Sequence, residues 1–235
     1  MSDQTKIEWC DATWNPVTGC TPVSEGCENC YARRLAKRFP HVHNPSGQLK
    51  RFSAIHTHKD RLDIPLHWRK PRRVFVCSMG DLFHEQVHRD FILRVWLKMS
   101  MCPEHTFVIL TKRPERMSML LAEWMEPALC LVEMQPFHWP LPNVWLGVTV
   151  ESQKYEDRIR ILLETPAAVR FVSFEPLLDT VDATAYLYPT NDWELNCINW
   201  VIVGAETGPG ARYMNPDWAR SIRDLSLIHI SEPTR

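Results

Sequence analysis

Arg73-Val74-Phe75-Val76-Cys77-Ser78 is a short, apolar, β-branched run that breaks off in Met79-Gly80-Asp81. Strict alternation of apolar and polar residues would mark a strand with one wet face. This near-continuous run marks a strand covered on both. Four more runs share its form: Thr106–Thr111 (TFVILT), Val144–Val150 (VWLGVTV), Arg170–Phe174 (RFVSF) and Trp200–Gly204 (WVIVG). Their starts lie 26–38 residues apart, the spacing of successive strand–helix units. Ala12 to Thr18 supplies a weaker first strand, interrupted by Pro16. The expected fold class is therefore α/β with a six-stranded, mainly parallel sheet.

Helix-period segments lie between the runs. Phe91, Ile92, Val95, Trp96 and Met99 form one stripe, and Tyr155, Ile159, Leu162 and Leu163 another. Asn215-Pro216-Asp217 reads as an N-cap followed by proline at the first helical position. Residues 40–70 lack periodicity and are expected to form a long connection with short helical pieces; 125–143 and 179–198 read as inserted loops.

Parallel strand–helix folds carry their sites at the C-terminal ends of the strands. Those ends are Gly19-Cys20, Ser78 to Asp81, Thr111-Lys112-Arg113, Thr149 to Glu151, Phe174-Glu175-Pro176 and Gly204 to Gly208. All six are polar, charged or glycine-rich, which argues for one shared rim. The first holds three of the chain's eight cysteines, Cys20, Cys27 and Cys30, in a C-x6-C-x2-C pattern. Tyr31, Leu35 and Phe39 recur at helical spacing just after it, so the last pair opens a helix. There, unpaired N–H groups favour thiolate, the form that binds metals. Cys10 is a candidate fourth ligand for a closed zinc site. Cys77, Cys102, Cys130 and Cys197 sit in or beside apolar runs and read as small buried hydrophobes.

With 235 residues, 45% hydrophobic and 23% charged, the chain suits one globular domain over residues 1–225 with a basic insertion at about 40–70. No run approaches the ~18 apolar residues of a membrane span and no signal peptide opens the sequence, so a cytoplasmic protein with thiols rather than disulfides is expected. Net charge is −1, yet Arg33 to Arg73 holds twelve Lys/Arg against Asp60 and Asp63. That block is a solvated face or a contact for nucleic acid, with Trp68 beside it to stack on bases. His84-Glu85-Gln86-Val87-His88 is an H-E-x-x-H pattern, which on a helix would suit a zinc hydrolase. Ser226 to Arg235 (SLIHISEPTR) looks like translated sequencing-adapter DNA, so the natural chain is expected to depart near Leu225 and the fold to be truncated at its C-terminus.

KIEWCDATWNPVTGC, GCENCYA, PRRVFVCSMGDLFHE, TFVILTKRPERM, NVWLGVTVE, VRFVSFEPLL and WVIVGAETGPGAR, spread over residues 6–224, resemble the phage gp-thirty-seven/gp-sixty-eight family. These are three-cysteine-motif proteins related to the radical S-adenosylmethionine (SAM) superfamily. The resemblance implies a partial parallel (β/α)6 barrel holding a [4Fe–4S] cluster on Cys20, Cys27 and Cys30. SAM would chelate the fourth iron, and one electron from a reductase or flavodoxin-like donor would cleave it to a 5′-deoxyadenosyl radical. The superfamily spacing is C-x3-C-x2-C; here the first gap is six and Tyr31 follows the last cysteine. By position, Ser78 and Asp81 would meet the SAM amino group, and Lys112 or Arg113 its carboxylate. Glu151, Glu175 and Glu206 would accept ribose or amine hydrogen bonds. The resulting expectation is a SAM-dependent radical enzyme of unknown substrate, with nucleic acid one candidate. The alternatives are a nucleic-acid-binding or adaptor module with structural zinc, and an HExxH zinc hydrolase.

Overall fold

The computed structural model describes residues 5, 7–38, 52–124, 139–187 and 197–228. Phe39, Cys130, residues 40–51, most of 125–143 and 188–196 lie outside the described residues, as do 229–235. The main sheet is parallel and six-stranded. It comprises β1 (Ala12–Trp14), β4 (Arg73–Val76), β5 (Thr106–Thr111), β6 (Val144–Thr149), β7 (Val169–Phe174) and β8 (Trp200–Val203), adjacent in that order. β2 (Val17–Thr18) pairs antiparallel with β3 (His56–Thr57). The expected first strand is thus split at Asn15-Pro16, where proline cannot donate to a ladder.

The helices are α1 (Tyr31–Arg38), α2 (Arg89–Ser100), α3 (Pro114–Trp124), α4 (Asp157–Glu164), α5 (Thr184–Leu187) and α6 (Pro216–Ile228). The α2 stripe is buried as its periodicity requires: Phe91, Ile92, Val95, Trp96 and Met99. Asn215 Oδ1 accepts from the Asp217 N–H at 3.0 Å, giving α6 its cap. Short 3-10 turns at Lys59–Arg61 and Pro65–His67 are the helical pieces expected in the basic connection. No helix among the described residues is long and apolar enough to cross a membrane.

One face of the sheet packs on the helices. Val74, Val76, Phe107, Ile109, Leu146, Val148, Val172 and Phe174 share a core with Ile92, Met117, Ile159 and Ile222. The alternate residues point the other way; Phe75, Val108 and Phe171 lie outside that cluster, yet are at most 7% exposed. Curvature buries them. β1 and β8 are the two edges, five strand spacings or about 24 Å apart in a flat sheet. Trp9, just before β1, nevertheless touches Trp200 of β8 with ring centroids 5.9 Å apart. The Arg73 guanidinium stacks on Trp145 and Trp200 at 5.3 and 5.8 Å. The sheet therefore curls, and a Trp/Arg layer fills its concave side at the N-terminal ends of the strands.

Gly147 is required by that curl. A Cβ there would sit 2.3 Å from the Phe171 ring. Gly147→Ala is expected to cost about 1–3 kcal/mol, measured by urea denaturation; an unchanged midpoint would mean that Phe171 has room to move.

Candidate metal centre

The cysteine loop begins where β2 ends. Gly19 holds φ +90, and a Cβ there would meet the Ala54 carbonyl oxygen at 2.1 Å. The Cys20 N–H donates to Phe52 O at 3.0 Å. A 3-10 turn at Glu25–Cys27 follows, and α1 starts directly after Cys30, as the Tyr31/Leu35 spacing predicts. All seven described cysteines are free thiols. Cys20, Cys27 and Cys30 are half-buried.

The loop is held from below by strand ends. Glu151, with no exposed side-chain surface, accepts from Ser24 Oγ at 2.5 Å and from Arg158 at 2.9 Å, and pairs with Lys112. Gly26 lies flat on it: a Cβ there would meet Glu151 Oε1 at 2.5 Å. On the other side Glu206 accepts from Arg212 at 2.6 Å and from Asn29 at 2.9 Å. Arg212 also donates to Glu25 O at 2.9 Å. Arg33 donates to Cys27 O at 2.9 Å, and Arg34 to the carbonyls of Thr207 and Pro209.

The thiols differ electrostatically. Burial and Asp81 push Cys20 up to about 11, against the opposing pull of Arg113. Burial also raises Cys27, but the Lys112 charge and backbone hydrogen bonds at Val23 and Ser24 outweigh it, and its net shift is downward. Cys10 does not join the group. Burial pushes it up to about 11 beside Arg73, at the opposite end of the strands, which removes the expected fourth ligand of a zinc site. Cys77 and Cys102 are buried as expected, whereas Cys197 is half-exposed. Among the described residues no group of three or more His, Cys, Asp or Glu is gathered tightly enough to hold a metal ion. A single zinc needs its sulfurs about 3.8 Å apart; a cubane places each thiolate on a different iron, further apart.

The structure sorts the expected rim residues into clamps and one open group. Asp81 accepts from Thr111 Oγ1 at 2.8 Å, from Phe83 N at 3.0 Å and from Arg113 at 3.1 Å. Ser78 donates to Asn15 Oδ1 at 3.2 Å, and its carbonyl accepts from Tyr31 Oη at 2.6 Å. Lys112, Arg113, Glu151 and Glu206 are likewise engaged within the protein. Glu175 is the exception: it is exposed, and desolvation with Glu8 nearby raises its pKa. Tyr31, 43% exposed, is also pushed up by burial, with Glu175 contributing.

Two expectations fail on geometry. Residues 83–88 form turns, not a helix. Asp81 takes the Phe83 N–H and His84 Nδ1 the Gln86 N–H (3.2 Å), side-chain bonds that compete with helix formation. His84 is 2% exposed and bonded to Thr21 Oγ1 at 2.8 Å, while His88 is 76% exposed and caps α2. The two imidazoles share no face, and the hydrolase reading loses its premise. The basic block is also not one surface: Arg33 and Arg34 brace the cysteine loop, whereas Arg69, Lys70, Arg72 and Arg73 lie at the start of β4, the other end of the sheet.

Sequence reasoning missed Arg158, Arg212, Ser24 and Asn29. Arg158 carried a signal, a charge one helical turn before Leu162 on the buried stripe of α4.

The Glu206 clamp sets an acid limit. Arg212 first of all, helped by Asn29, holds the carboxyl down at about 2. A depressed carboxyl stabilises the fold above its unfolded pKa of about 4.3 and loses that stabilisation as pH falls through its folded value. Glu206→Gln is therefore expected to flatten the loss of stability between about pH 4.3 and 2, worth on the order of 2–3 kcal/mol in the parent. Denaturation titrations at each pH read this, and parallel curves for the two proteins would refute it.

No curated protein and no solved structure matches the chain. A family described as proteins of unknown function matches residues 4–229, a span that includes the cysteine loop and all six strand ends. By that match the chain belongs to the family DUF5131.

Proposed function

We propose that the chain is an iron–sulfur protein of the radical SAM type, built on a partial (β/α)6 barrel related to the phage gp-thirty-seven/gp-sixty-eight proteins. The observation that carries the reading is a loop bearing three free thiols, tied at both ends to carboxylates at the C-terminal ends of the strands. The donor set fits the group: three soft sulfur ligands, half-exposed, one with its pKa drawn down by Lys112. When bound, a [4Fe–4S] cluster on Cys20, Cys27 and Cys30 together with SAM supplies one-electron radical chemistry.

The chain's residues do the rest. Glu151 and Glu206 fix the loop, Lys112 favours the Cys27 thiolate, and Glu175 is the exposed carboxylate of the rim that would meet an organic ligand. A reductase or flavodoxin-like partner would donate the electron. Nucleic acid as substrate would engage the basic segment from Arg33 to Arg73, whose Arg69, Lys70 and Arg72 lie by the start of β4, at the other end of the sheet from the cysteine loop.

Anaerobic reconstitution with iron and sulfide tests the reading. The wild-type chain is expected to turn brown and retain about four iron per chain. A colourless product with stoichiometric zinc would favour the adaptor reading instead.

A further inference from the structure

Arg113 has no solvent role. It is 5% exposed, and its five N–H donors are all engaged by the protein. Nε donates to Glu85 Oε1 at 2.8 Å. Nη2 donates to Thr21 O and Oγ1 at 3.1 and 3.0 Å. Nη1 donates to Asp81 Oδ2 at 3.1 Å and to the Cys20 sulfur at 3.5 Å. Asp81 is itself fixed by Thr111 and the Phe83 N–H, and Thr21 by His84. The guanidinium is thus a rigid plate whose remaining N–H points at sulfur.

We propose that Arg113 is the positioning residue of Cys20: it holds the sulfur at the rim and, resting on the iron–sulfur reading above, tunes the cluster through an N–H···S bond. Such a bond withdraws charge from a ligand sulfur, stabilises the reduced cluster and raises its potential. An arginine so occupied is not the receptor for an exogenous carboxylate. A lysine lacks the planar fork and cannot span Asp81, Thr21 and the sulfur together.

The test is an EPR-monitored redox titration of reconstituted wild type, Arg113→Met, Arg113→Lys and Thr21→Ala. Arg113→Met is expected to shift the oxidised/reduced equilibrium at least tenfold toward the oxidised form, ~59 mV lower for one electron. Arg113→Lys should be only partly rescued. Thr21→Ala, which removes one acceptor and spares the Asp81 pair, should shift less in the same direction and covers the case that Arg113→Met does not fold. Clustered variants at the wild-type potential would overturn the role of Arg113 while sparing the cluster. A wild type that takes up no iron would overturn the cluster reading. A crystal structure of the metal-free chain then decides the positioning role: Nη1 within hydrogen-bond reach of Cys20 sulfur supports it, and a guanidinium turned away refutes it.

Discussion

Cys27→Ala is expected to abolish iron uptake on reconstitution while leaving the chain folded. Cys27 is the thiol that the surroundings prepare for ligation: Lys112 and the Ser24 hydroxyl favour its charged form, and the Glu25–Cys27 turn fixes its backbone. Its side chain is half-buried and lies outside the core cluster, so truncation costs little packing. Iron analysis and circular dichroism on the same sample separate the two effects. His88→Ala is the control, because an exposed cap at the start of α2 should leave the iron content at the wild-type value. Full iron in Cys27→Ala would remove the thiol from the ligand set.

Glu151→Ala should produce the largest loss of stability. The carboxylate is fully buried and answers two cations, Lys112 at 19% and Arg158 at 8% side-chain exposure. Removing one partner of a buried pair strands the other charge, at about 3–5 kcal/mol. In a chain of this size that lowers the melting temperature by roughly 6–20 °C. The loop over it should also loosen, since Ser24 and Gly26 both rest on this side chain. Thermal and urea unfolding measure the first effect, and proteolysis within Thr21–Asn29 the second. A loss below about 1 kcal/mol would mean that Lys112 and Arg158 find water or other acceptors.

The strands were legible because parallel strands buried on both faces carry little polarity until they end. Thr106–Thr111 matches its expected run end to end. The run from Arg73 stops two residues early, where Cys77 turns to φ 61, a local event with no apolar signature. The first strand broke at Pro16, as proline warned. The rim was legible as a set, because strand–helix topology brings those ends together whatever their identity. Its wiring was not. Asn29 meets Glu206 across 177 residues and Arg212 meets Glu28 across 184, and spacing alone does not reveal such pairs. H-E-x-x-H misled for the opposite reason: the pattern is local, but so are the Asp81 and His84 bonds that replace the helix. A charge count also could not show that Arg33 and Arg34 brace the cysteine loop while Arg69 to Arg73 lie by the start of β4.

Electron paramagnetic resonance of the reduced, reconstituted protein with and without SAM bears most directly on the central claim, that three thiols hold a cluster with one iron open to a small molecule. The account predicts a signal whose g-values and line shape change on adding SAM. A cluster signal indifferent to saturating SAM, or a fourth protein ligand on the iron, would contradict it.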